Sequence, residues 1–158
     1  MNASRPLRLA LFEPDIPQNT AAVLRTCACL GVAVEIIGPA GFVMGGKKAK
    51  RAGMDYLAHA QLTEHEDWKV FQQSYNGCRR VLLTTKAAEP YADFQFRTGD
   101  ILLFGRESAG VPVAVHEAAD VRLLIPMAAG MRSLNLAASA AMVLGEALRQ
   151  LDAFPKAN

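Results

Sequence analysis

Ile101-Leu102-Leu103-Phe104-Gly105-Arg106-Glu107-Ser108-Ala109-Gly110-Val111-Pro112 sets the reading of this 158-residue chain. Residues 101–104 form a short, unbroken apolar run, the pattern of a strand covered on both faces. The run stops on a glycine, a charged pair, a second glycine and a proline. A helix over residues 112–119 would then start with Pro112 in its first turn. Gly105 at the strand end allows a ligand close to the backbone, and Glu107 has the chemistry to hydrogen-bond a ligand or a neighbouring loop. The alternative is a plain surface turn opening the next helix.

The same grammar repeats in both directions. Residues 7–12, 32–37, 81–84 and 121–125 read as buried strands, and residues 56–62 alternate weakly, as an edge strand would. Helical spacing covers residues 19–30, 47–52, 66–75 and 134–151. In the first of these, Val23, Cys27 and Leu30 mark the buried face, and Arg25 lies about 200° round from Val23, away from it. Asn19 suits an N-cap and Gly31 a helix stop. In the third, Trp68 and Phe71 point inward. Strands alternating with helices predict one α/β domain over residues 1–158, a mostly parallel sheet with helices on both faces. Ligands of such sheets sit beyond the carboxyl ends of the strands, so the segments that follow strands carry the functional interest.

Besides 103–112, two such segments stand out. Ile16-Pro17-Gln18-Asn19-Thr20 leads into the helix that bears Arg25; Asn19 is a cap or a ligand contact, and Arg25 alone reads as a solvated arginine. Ile125-Pro126-Met127 leads to Ser133-Leu134-Asn135, where Ser133 or Asn135 caps the last helix or grips a small polar ligand. Gly41 to Lys48 nearly spells a phosphate-binding loop, but Lys48 stands where its Ser or Thr belongs, and no apolar helix follows. Lys47, Lys48, Lys50 and Arg51 read instead as a phosphate-contacting patch, against the bland alternative of a solvated helix face.

Composition excludes several classes. No apolar run is long enough to span a membrane. The first eight residues lack the apolar core of a secretory signal, and three cysteines, Cys27, Cys29 and Cys78, suggest no disulfide framework. A cytoplasmic setting is expected. His59, His65 and His116 stand apart without ligand-like spacing, so no metal is expected. A net charge of +2 is too mild to indicate nucleic acid by itself.

Taken in order, Glu13-Pro14-Asp15-Ile16-Pro17-Gln18-Asn19-Thr20 with Arg25-Thr26-Cys27, Gly53-Met54-Asp55-Tyr56, Leu83-Thr84-Thr85-Lys86, Phe104-Gly105-Arg106-Glu107, Arg132-Ser133-Leu134-Asn135-Leu136 and Glu146 to Leu151 resemble the SPOUT superfamily of RNA methyltransferases. The likeness is greatest to its minimal tRNA wobble-position 2′-O-methyltransferases, and it covers residues 7–151. It implies a C-terminal trefoil knot, S-adenosyl-L-methionine as cofactor, and a homodimer that binds the tRNA anticodon stem-loop without a separate RNA domain. It also implies a cofactor pocket of Leu83, Thr84, Thr85, Gly105, Ile125, Met127, Ser133 and Leu134. Arg25 matches the arginine placed at the target ribose; Asn19, Glu107, Ser133 and Asn135 match its polar companions. The chain departs from the family pattern at Ala21-Ala22, at Ala137-Ala138 and at Gly145, where an aromatic is usual. Rival readings are another RNA as substrate, a non-catalytic RNA or cofactor scaffold, and a flavodoxin-like nucleotide module, for which Pro14-Asp15-Ile16-Pro17 makes a poor phosphate loop.

Overall fold

The computed structural model describes residues 5–54 and 58–157. In chain order it contains β1 (Leu7–Phe12), α1 (Pro17–Leu30), β2 (Ala33–Ile37), α2 (Lys47–Arg51), β3 (Leu62–His65), α3 (Trp68–Ser74) and β4 (Arg80–Leu83). There follow β5 (Glu89–Pro90), a 3-10 turn (Tyr91–Asp93), β6 (Asp100–Phe104), α4 (Val113–Ala118), β7 (Val121–Leu124) and α5 (Leu136–Gln150). The strands form one seven-stranded sheet in the order β3-β2-β1-β6-β4-β7-β5, and every pairing is parallel.

Helices cover both faces. On one, Leu9, Leu11, Val34 and Leu102 pack with Val23, Leu24 and Cys27 of α1, Ala49 of α2 and Leu144 and Leu148 of α5. On the other, Ala10, Phe12, Leu82 and Leu103 meet Phe71 of α3 and Val115 of α4. This double cover is why β2 and β6 are buried along their whole length and are apolar except at Glu35 and Asp100.

Several boundaries differ from the sequence expectation. α1 starts at Pro17, with Ile16 at its N-cap, so Asn19 lies inside the first turn rather than capping it. Proline suits that first turn, since its missing N–H is one the helix leaves unpaired anyway. Gly31, at φ +69°, ends α1, and its N–H and that of Val32 close the last turn on Ala28 and Cys27 carbonyls. The edge strand runs over Leu62–His65 rather than 56–62; of the expected strand, Tyr56 and Leu57 lie outside the described residues. Its pairing with β2 places Leu62 beside Val34 and His65 beside Ile37. Pro112 caps α4 from outside. α5 starts at Leu136 because Asn135 caps it, its Oδ1 accepting the Ala138 N–H at 3.1 Å. β5 was not anticipated: two residues carry no periodicity, and Pro90 is tolerated because the strand is at an edge.

One polar cluster is buried within the second face. Glu35 on β2 is 0 % exposed. It accepts hydrogen bonds from Arg8 Nη1 at 3.0 Å and from the Tyr75 hydroxyl at 2.6 Å, and His65 Nε2 lies 2.8 Å from its other oxygen. Burial, reinforced by the Glu35 carboxylate, pushes the Tyr75 phenol up to about 12. Removing the hub strands a nearly buried arginine without its counter-charge. Glu35→Ala is therefore expected to lower unfolding free energy by about 3–5 kcal/mol, read from urea denaturation, with Glu35→Gln losing less.

Candidate active site

β6, β4 and β7 are consecutive in the sheet and parallel, so their carboxyl ends open on the same side. Leu83, Thr84 and Thr85 continue from β4, Gly105 to Gly110 from β6, and Ile125 and Met127 from β7. These segments, with Asn19 of α1 and the start of α5, line one cavity of about 400 Å³. That size lies within the range of small-molecule sites.

The turn after β6 is closed on itself. Arg106 N–H donates to Gly110 O at 3.1 Å and Gly110 N–H to Arg106 O at 2.9 Å. A Cβ on Gly105 would stand 2.6 Å from the Gly110 carbonyl carbon. Glycine is thus imposed by backbone meeting backbone, which leaves the Gly105 main chain as cavity wall.

A chain of hydrogen bonds crosses the cavity rim. Glu107 Oε2 accepts the Asp15 N–H at 3.1 Å, and Oε1 lies 3.5 Å from Asn19 Nδ2, a long donor contact. Asn19 Oδ1 accepts from Asn135 Nδ2 at 2.9 Å, and Asn135 Oδ1 accepts the Ala138 N–H. Burial first, then the neighbouring Asp15 carboxyl, holds Glu107 above the ordinary carboxylate range. Among the described residues, no three His, Cys, Asp or Glu side chains gather as a metal site.

Residues 6–145 match the profile of the SpoU rRNA Methylase family. This chain belongs to that family. Among curated relatives of this SpoU-family chain, a tRNA (cytidine(34)-2'-O)-methyltransferase of Beijerinckia indica subsp. indica is 58% identical over 150 residues, 94% of either chain. A solved structure that bears on the 2-OH methylation of C/U34 on tRNA superposes with a TM-score of 0.86 at 40% identity, covering 92% of this chain and 91% of that one. An AdoMet-bound rRNA methyltransferase from Sinorhizobium meliloti shares the fold, with a TM-score of 0.81 at 24% identity, over 93% of this chain and 59% of its own.

In this SpoU-family chain, Leu83, Thr84, Thr85, Gly105, Ile125, Met127, Ser133 and Leu134 all line the cavity, as do Asn19, Glu107 and Asn135. Arg25 does not: it sits on the exposed side of α1. Lys47, Lys48, Lys50 and Arg51 are exposed on α2, whose Ala49 faces the core. Sequence reading missed Ser139 and Leu136 in the cavity wall and Asp15 beside it. The signal for Asp15 was its place just after β1, but only the sheet order puts that end next to β6.

Proposed function

We propose that this chain methylates the ribose 2′-oxygen of nucleotide 34 in tRNA, with S-adenosyl-L-methionine as donor. The convergence of three strand-end loops, distant in sequence, on one cavity carries the reading. Its fit to the donor rests on backbone wall at Gly105, small hydroxyls at Thr84, Thr85 and Ser133, and apolar surface from Leu83, Ile125, Met127 and Leu134. Those eight residues would hold the cofactor, which supplies an electrophilic methyl group on a sulfonium. The relatives named for cytidine 34 support the choice of nucleotide, and a tRNA substrate fits a cytoplasmic enzyme.

The acceptor hydroxyl is a poor nucleophile until its proton is polarised or lost. An arginine, with a pKa above ~12, is a poor base but a good clamp for an oxygen gaining negative charge. Arg25 takes that role in this reading, with Asn19, Glu107, Ser133 and Asn135 orienting the ribose. Water excluded from the filled cavity leaves those dipoles unscreened.

Arg25 lies outside its own cavity, which supports a homodimer. α1 and α5 pack side by side, and Ala22, Arg25 and Cys29 on one and Ala138, Ala141 and Met142 on the other are exposed. Gly145 on α5 faces open space where a Cβ would meet nothing. A second copy seated on this small-residue face would receive Arg25 from its neighbour. A trefoil knot belongs to the same reading. Its support is that β7 lies between β4 and β5, so the connection over residues 84–88 crosses the end of β7 that the chain must leave by.

The test is purified protein with labelled S-adenosyl-L-methionine and bulk tRNA, followed by mapping of the modified nucleotide. Label at ribose 34 is expected; label only in ribosomal RNA, or none despite cofactor binding, overturns the reading. α2 would hold the RNA backbone. Changing Lys47, Lys48, Lys50 and Arg51 together to Gln is expected to weaken tRNA binding and flatten the plot of log K against log salt. The slope should fall by about one for each phosphate no longer neutralised. Filter binding across a salt series reads this, with cofactor affinity unchanged.

A further inference from the structure

The loops after β1 and β6 are pinned together at the cavity rim, and the pin is Asp15. Its backbone N–H holds Glu107 Oε2, and its carboxylate accepts from the Ser108 hydroxyl. Arg106 Nε stands 3.7 Å from Asp15 Oδ2, and Arg106 Nη1 stands 3.7 Å from Glu13 Oε2. Glu13 takes a left-handed φ of +43°, uncommon for a non-glycine residue, and so turns the chain sharply between β1 and Asp15. Asp15 Oδ1 is buried with no hydrogen-bond partner among the described residues. A buried, unsatisfied oxygen beside another carboxyl calls for a function.

The relay beyond Glu107 has a direction. At one end a carboxylate oxygen accepts; at the other the Ala138 N–H donates. Asn19 and Asn135 between them must each turn oxygen and nitrogen to suit, so flipping either amide sets donor against donor or acceptor against acceptor. The Ala138 N–H fixes the Asn135 amide, so it is Asn19, held between Asn135 Nδ2 and Glu107 Oε1, whose seat depends on Glu107 Oε1 remaining an acceptor. We propose that Asp15 is a positioning residue for methyl transfer, which through Glu107 holds the Asn19 amide in place at the cavity against the fixed amide of Asn135. The proposal rests on the methyltransferase reading above for its kinetic consequence, though not for the relay itself.

The charged groups around Glu107 are Asp15 and Glu13 from the loop after β1 and Arg106 from its own loop; α1 and α5 bring the neutral amides of Asn19 and Asn135. Of the two carboxyls, Asp15 is held low, first through its contact with Glu107, while Glu107 is held high. As pH falls, Glu107 therefore protonates before Asp15 and stops accepting cleanly. Asp15→Asn keeps the backbone N–H and removes the like charge, so Glu107 should titrate lower.

The experiment is the pH–rate profile of kcat/KM for tRNA methylation by wild type, Asp15→Asn, Glu107→Gln and the double variant. The acid limb is expected to move about half a pH unit or more to lower pH in Asp15→Asn, with the KM for cofactor within about two-fold. In the Glu107→Gln background, Asp15→Asn should shift nothing. An unmoved acid limb, or an equal shift in both backgrounds, overturns the proposal. An NMR titration of the Asn19 and Asn135 side-chain amides in the wild-type protein reads the relay without activity. Both are expected to move with one common pKa, and two independent or flat curves overturn it. If wild type methylates no tRNA, the functional reading fails while this titration still decides the relay.

Discussion

Arg25→Ala is expected to lower the methyl-transfer rate about 10²–10³-fold, the cost of removing one preorganised group from a developing oxyanion. Cofactor affinity should stay within about two-fold, because Arg25 does not line the cavity of its own chain. Single-turnover methylation with saturating tRNA separates the two quantities. A variant with full rate and normal cofactor binding would remove Arg25 from the mechanism.

Gly105→Val is expected to lower cofactor affinity about 100-fold, or ~2.7 kcal/mol, by titration calorimetry. The added Cβ would meet the Gly110 backbone at 2.6 Å, and a backbone cannot swing aside as a side-chain tip can. The turn would have to open, and the wall of the cavity with it. Secondary structure should persist, since the turn lies outside the sheet and helices.

The two variants also test one another. If Arg25 acts across a dimer, a mixed dimer of Arg25→Ala and Gly105→Val has one site with both lesions and one with neither. Co-refolding equal amounts should restore about a quarter of wild-type activity, as two-fold assembly gives half mixed dimers with one sound site each. If Arg25 acts within its own chain, every site carries a lesion and nothing is restored.

The sequence disclosed the parts of this fold whose environment leaves a local trace. β1 is legible to the residue, and β2, β4 and β6 nearly so, because cover on both faces favours apolar side chains at all but one position of each strand. β3 was misplaced because its exposed Thr63 and Glu64 erase the pattern an edge strand is read by. Local pattern leaves Asn19 open between cap and ligand contact; Pro17 takes the helix start, and the amide turns to Glu107 and Asn135. The cavity segments were legible as loops following strands, with the eight cofactor candidates drawn from the family resemblance. What local pattern could not reveal was adjacency. Asp15 and Glu107 are 92 positions apart, and only the pairing of β1 with β6 makes them neighbours.

The placement of β7 bears on how the protein matures. Its slot lies between β4 and β5, which the chain completes well before β7 itself is made. Contacts closed over such spans form late and slowly. Until residues 121–124 are made that slot cannot be filled, and the cavity lacks the wall that Ile125, Met127, Ser133 and Asn135 supply. A complete cavity thus waits on residues 121–139, the part of its wall that is made last.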